Sequence, residues 1–336
     1  MVAPLYITSS ASGSGKTTLC AGLGKHLFSG GHRVGFFKPV ITANNEKDSD
    51  TAFIKHIFGL EETQDILAPI FRDEANLKNS LKEAYAKVTP GKDVAIIEGV
   101  FGQSDSSSDL VATLEAKVVV IADYAQELLP VIDTSRRFGE QLLGIVVNKV
   151  PGSRLGRVRD EVSHLLEPAG IKILGILPED RSLLALTIGE LTEQIHGELL
   201  RGSEKSAELV ENIMLGANVL DNTMNAGPLY FRRKANKATI LKSERPDMQM
   251  AALESPTTCL VLTGNTPIKE VVLAQAKKKN VPVILARDDV PLVVAQIEEA
   301  LGKSRFCQEN KLPRLTEIMQ EYFDFTTIEY GLGLSL

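Results

Sequence analysis

Apolar, β-branched runs alternate with segments of helical period through the first two thirds of the chain. They are PLYIT, the helix-like stretch from Lys16 to Phe28, then RVGFF, DVAIIE, KVVVIAD, LLGIVVN and IKILGIL. The runs are continuous instead of alternating apolar with polar, which places most of them in strands covered on both faces. Strands separated by helices predict an α/β fold with a mostly parallel sheet and crossover helices. Near residue 198 the pattern gives way to GELLRGSEKSAEL, a polar stretch that predicts a domain boundary. A second alternation follows in ENIMLGA, KATILKS, TTCLVLTG and VPVILAR, and predicts a smaller α/β domain. The last periodic segment, LPRLTEIMQEYF, sets Leu315, Ile318, Met319 and Tyr322 on one face of a terminal helix. The predicted organisation is therefore residues 1–200, residues 205–310, and a C-terminal helix and tail over 311–336.

At 336 residues the chain exceeds one ordinary hydrophobic core, in keeping with two domains. A net charge of −6 argues against a nucleic-acid partner, because a phosphate backbone needs a concentrated basic face. The one basic run, YFRRKANK at 230–237, reads as a solvated helix face. Cysteines 20, 259 and 307 are too few and too far apart for a disulfide framework or a metal-ligand spacing. Cys20 reads as a buried, inert thiol. The N-terminus lacks a basic region followed by an apolar run, and no segment has the length and apolarity to span a bilayer. No membrane partner and a cytoplasmic location are the expectations.

The candidate chemistry begins with SGSGKTT at 12–18, set between a strand and a helix. A P-loop needs inward backbone N–H groups, small residues that let phosphates approach, a lysine for the β and γ oxygens, and a hydroxyl for Mg²⁺. Gly13, Ser14, Gly15, Lys16, Thr17 and Thr18 supply them in order, ahead of a helix whose positive dipole end adds to the anion field. Ser9 and Ser10 stand where a strict pattern opens with glycine. Glu98 ends a buried strand at the edge where open α/β sheets gather ligands. Such a carboxylate is either paired or a metal partner. Asp50 is a candidate for the same metal or for a helix N-cap. Lys38 closes the strand RVGFF and is held at a loop entrance by Pro39; the alternative is a surface lysine.

The order SGSGKTT, GFFKPV, DSDTAF, AIIEGV, GIVVNKVP and GILPED resembles dethiobiotin synthetase. It is more similar still to the synthetase-like, AAA_26-type N-terminal region of long bacterial phosphotransacetylases. The resemblance implies that Lys16 and Thr17 hold ATP, that Lys38 lies beside the reacting carboxyl and phosphate, and that Asp50 and Glu98 hold Mg²⁺ with Thr17. It also implies that Asn148 meets the adenine edge. The family's loop opens on a glycine two positions before an aspartate, where this chain has Ser9 and Ala11, and its EGAGG segment is replaced by Glu98-Gly99-Val100-Phe101-Gly102. Both changes fall on the side of the family's substrate, diaminopelargonate. The stretch from KATILKS to ILARDDV resembles the DRTGG domain that follows in the long phosphotransacetylases, with Ser243-Glu244-Arg245-Pro246-Asp247 at its name-giving segment. The acetyltransferase domain that normally comes next is not expected in these residues.

Two functions are consistent with this. One is a nucleotide-binding regulatory module with weak or no hydrolysis that reports to a partner enzyme as a homodimer. The other is an ATP-dependent carboxylate-activating ligase with a second small-molecule substrate, for which the apolar Val100-Phe101 offer few polar groups.

Overall fold

The computed structural model describes residues 2–9, 11–41, 49–71, 77–99, 104–216, 231–303 and 306–334. Ser10, Val100, Phe101, Gly102 and Tyr230 lie outside them. The chain divides into two units, Met1–Asp180 with Phe306–Leu336, and Arg181–Arg305.

In the first unit the apolar runs become a six-stranded parallel sheet. Its order is Val34–Phe37, Val94–Glu98, Ala3–Thr8, Lys117–Asp123, Leu142–Val150 and Ile173–Pro178. All four side chains of VGFF and all five of VAIIE are buried, as continuous apolar runs require. The first strand in the chain lies in the middle of the sheet, and the strands that follow it fill both sides. That places the loop after Thr8 beside the point where the strand order reverses, the usual place for a ligand in an open α/β sheet.

The terminal helix, Leu312–Tyr322, belongs to this unit and not to a separate tail. Leu315, Ile318 and Met319 are buried as expected, joined by Leu312, while Tyr322 is only half-buried. The buried face packs on the helix Lys16–Ser29. A Cβ added at Gly22 would run into the Met319 sulfur, and one at Gly24 into the Phe58 ring. The next helix, Phe325–Gly331, adds a stack of Phe325 on His26 and a 2.8 Å contact from Glu329 to His26. The C-terminal segment thus grips the helix that carries the phosphate loop.

The second unit holds a five-stranded sheet in the order Glu198–Arg201, Val283–Ala286, Thr257–Thr263, Lys237–Lys242 and Asn212–Leu215. The last four are parallel and the first is antiparallel to its neighbour. Residues 181–200, expected in the first domain, fold here. The polar stretch expected to be a boundary supplies instead the edge strand Glu198–Arg201, whose residues are exposed or half-buried. An edge strand needs no continuous apolar run, because the sheet covers only part of it. Thr187 and Glu190 form a capping box that starts the helix Ile188–Gln194. The basic run differs from the expected helix face: Phe231 is buried, Arg232 to Asn236 form an exposed turn, and Lys237 opens a buried strand.

Lys237 has no accessible surface, and among the described residues its ammonium donates to neutral acceptors, Ser255 Oγ at 3.2 Å and Pro256 O at 2.7 Å. Burial lowers its pKa from 10.5 to about 8. Between those values the unfolded chain keeps a proton that the folded chain has released, so this group makes stability rise with pH through that window. Below pH 8 both states carry the charge and the cost of burying it is complete. Relative to Lys237→Met, wild type should gain about 2 kcal/mol in urea unfolding between pH 8 and pH 10. Parallel pH profiles for the two proteins would show that Lys237 stays charged in the fold.

Candidate functional site

The residues singled out in the sequence meet at the carboxyl edge of the first sheet. Gly13 and Gly15 both take left-handed backbone, with φ of 71° and 99°. Gly15 is the N-cap of the helix that begins with Lys16. Between them Ser14 is fully buried and donates to the Ala11 carbonyl at 2.9 Å, which closes the loop on itself. The opening serine has a role of its own. Ser9 donates to Ala11 O at 2.7 Å and accepts from the Lys16 ammonium at 3.0 Å. Ser9 therefore supplies by side-chain bonds the turn that a glycine would supply by backbone freedom. Burial lowers the pKa of Lys16, opposed chiefly by Glu98.

Thr17 donates to Glu98 Oε1 at 3.0 Å. The same oxygen lies 3.1 Å from the Lys38 ammonium, which is also 3.0 Å from Asp50 Oδ2. Strand register explains the meeting: Glu98 is the partner of Ile7, just ahead of the loop, and Phe37, before Lys38, is the partner of Ile97. Asp50 arrives in the first turn of the helix Ser49–Phe58. Burial pushes Glu98 above the usual carboxylate range; Lys38 opposes the rise and Asp50 adds to it. Glu98 is 3% exposed, and its Oε2 is buried with no hydrogen-bond partner among the described residues. An orphaned carboxylate oxygen, beside a threonine hydroxyl and a second carboxylate, is an all-oxygen donor set that fits a hard divalent cation. Among the described residues no group of three or more His, Cys, Asp or Glu gathers to hold a metal. Two carboxylates and a hydroxyl suit Mg²⁺, which takes few protein ligands and completes its shell with phosphate and water.

Asn148 donates through Nδ2 to the Ser14 carbonyl at 2.9 Å, so it braces the loop. Thr18 follows in the first turn of the helix. Cys20, fully buried one turn further, has its thiol pushed well up by burial and then by Glu98, so it is no reactive thiolate.

Two features were missed in the sequence. Lys149, itself at φ 61°, donates to Gly13 O at 2.7 Å and pairs with Asp123 at 2.8 Å. Asp123 and Asn148 are register partners on adjacent strands, a relation that ending both apolar runs at one sheet edge could have suggested. The second is a buried 2.9 Å bond from Tyr6 to Ser107. A Cβ at Gly99 would lie 2.6 Å from the Tyr6 ring, so only glycine lets the chain leave Glu98 across that tyrosine.

In the second unit, the residues of the altered DRTGG segment bond to one another and to the neighbouring loop. Arg245 donates twice to Asp247, at 3.0 and 2.7 Å, and Thr266 donates to Glu244 at 2.9 Å. The helix beyond Thr266 begins only at Glu270.

Comparison with known proteins matches residues 3–186 to the family AAA_26, described as an AAA domain, and residues 190–300 to the DRTGG domain. A phosphate acetyltransferase of Nitrosomonas europaea is 23% identical over 74% of this chain and 39% of its own length. One from Nitratidesulfovibrio vulgaris is 22% identical over 95% of this chain and 50% of its own. The chain thus spans half or less of these relatives. An ATP-dependent dethiobiotin synthetase of Methanococcus vannielii is 24% identical over 53% of this chain and 94% of its own. Among solved structures, the MinC:MinD cell division complex of Aquifex aeolicus matches with a TM-score of 0.38 and 20% identity, over 55% of this chain and 84% of that one. With the family match covering more than half of its residues, the chain belongs to the AAA_26 family of P-loop domains, here followed by a DRTGG domain.

Proposed function

We propose that the chain binds ATP with Mg²⁺ and acts as a nucleotide-responsive regulatory module with weak or no hydrolysis. The observation that carries this reading is the single cluster formed by the loop from Gly13 to Thr17 with Glu98, Lys38 and Asp50. Gly13, Ser14, Gly15, Lys16, Thr17 and Thr18 hold the phosphates, Asn148 meets the base, and Thr17, Asp50 and Glu98 hold the cation. When bound, Mg²⁺ would offset phosphate charge. The regulatory role is supported by the DRTGG domain and by relatives named phosphate acetyltransferase, which suggest such an enzyme as partner. Slow turnover is supported by the engagement of both carboxylates with Lys38 and of Glu98 with Thr17. A cytoplasmic homodimer completes the reading, on the general preference of soluble chains for two-fold assembly.

The second reading is a carboxylate-activating ligase. It is favoured by the place of Lys38 beside the phosphate loop and by the synthetase relative that the chain covers almost fully. Calorimetric titration with ATP and Mg²⁺, then ADP release with and without diaminopelargonate and bicarbonate, separates the two. Binding with little ADP release under both conditions is expected. Dethiobiotin formation would establish the ligase, and absence of ATP binding would refute both. No exchange of acetyl-CoA to acetyl phosphate is expected, and its detection would overturn the regulatory assignment.

A further inference from the structure

Lys38 stands between the two carboxylates that the proposed cation would need. Its ammonium is 3.0 Å from Asp50 Oδ2 and 3.1 Å from Glu98 Oε1, and the side chains of Lys38, Asp50 and Glu98 are only 17%, 14% and 4% exposed. Two carboxylates so withdrawn from water need a cation close by, because their repulsion is poorly screened there. We propose that Lys38 is that resident cation in the nucleotide-free chain, occupying the carboxylate oxygens and excluding a divalent metal until nucleotide phosphates draw the ammonium away. The inference rests on the reading that nucleotide and metal bind at this cluster.

Three observations support the exchange. The backbone of Lys38 is fixed by a 2.7 Å bond from its N–H to Leu67 O, while a flexible four-carbon stem lets the ammonium change partners. The charges do not admit both cations alone: the ammoniums of Lys38 and of the nearby Lys16 already balance the two carboxylates, and an added divalent ion would leave the cluster with uncompensated positive charge. Phosphates supply the missing anions. Finally, Glu98 Oε2 is buried without a partner among the described residues, so the ammonium does not by itself satisfy the cluster. Metal and nucleotide should therefore bind with positive coupling, each tightening the other by the same factor.

The test is binding of Mn²⁺ to the full-length, nucleotide-free protein, followed by the electron paramagnetic resonance signal of free Mn²⁺. Lys38→Met should bind Mn²⁺ about tenfold tighter than wild type. Lys38→Arg, which keeps the charge, should bind as weakly as wild type. Mn²⁺ alone should raise the melting temperature of Lys38→Met more than that of wild type at every metal concentration that binds the variant. Lys38→Gln repeats the comparison should Lys38→Met fail to melt cooperatively. A folded, uncharged variant that binds Mn²⁺ no tighter than wild type overturns the proposal. Because this comparison uses metal alone, it is separate from the nucleotide reading. Nucleotide that binds while the variants match wild type refutes the resident cation only, and failure of nucleotide to bind refutes the proposed function.

Discussion

Lys16→Ala is expected to weaken ATP binding at least about a hundredfold while leaving the chain folded. The ammonium of Lys16 is held by Ser9 Oγ at 3.0 Å, in a half-buried position that lowers its pKa. A cation that has already lost much of its water offers a phosphate a stronger bond than one in solution, since less hydration must be given up on binding. Hydrogen bonds to charged groups contribute about 1.5–3 kcal/mol each, and 1.4 kcal/mol is tenfold in affinity. Losing the charge and its bonds together gives the hundredfold figure. Stability should change little, because Ser9 keeps its bond to Ala11 O and the fold loses a poorly hydrated charge. Equal ATP affinity in wild type and Lys16→Ala by calorimetry, with both proteins melting cooperatively, would remove the loop from the binding site.

The site was legible in the sequence to the extent that it follows from strand ends. Glu98 and Lys38 close apolar runs, and parallel strands bring such ends to one edge whatever the detail of packing. What could not be read was which partners they take there. The approach of Lys38 to both Glu98 and Asp50 depends on register and on where the helix Ser49–Phe58 begins, and neither is encoded in a local pattern. The contact from Lys149 to Gly13 O spans 136 residues and involves a lysine at positive φ, a conformation that side-chain type does not announce.

The fold shows the same division. Buried central strands were visible as unbroken apolar runs, and the terminal helix as a face of helical period. The edge strand Glu198–Arg201 was not, since residues that the sheet leaves exposed carry no apolar signature. Periodicity likewise marked the apolar face of Leu312–Tyr322 without naming its partner. That partner is recognised only when Gly22 is seen to leave room for Met319.

Gly15→Ala should cost about a hundredfold in ATP affinity, whereas Gly13→Ala should cost about tenfold, although both glycines have positive φ. At Gly13, with φ 71°, an added Cβ meets nothing within 4 Å, so alanine there bears only the left-handed backbone, about 1–2 kcal/mol. At Gly15, with φ 99°, the Cβ also runs into the Asn148 amide nitrogen. That nitrogen donates to Ser14 O, so relieving the clash breaks a bond that braces the loop and adds about 1 kcal/mol. The displaced amide also leaves the place proposed for the base. Because the extra cost runs through one neighbour, the effects of Gly15→Ala and Asn148→Ala should not add. In the Asn148→Ala background Gly15→Ala should fall to about the tenfold cost of Gly13→Ala, since only backbone strain remains. Calorimetry on the four members of that cycle measures the coupling. Full additivity would show that Asn148 is not what glycine at position 15 makes room for.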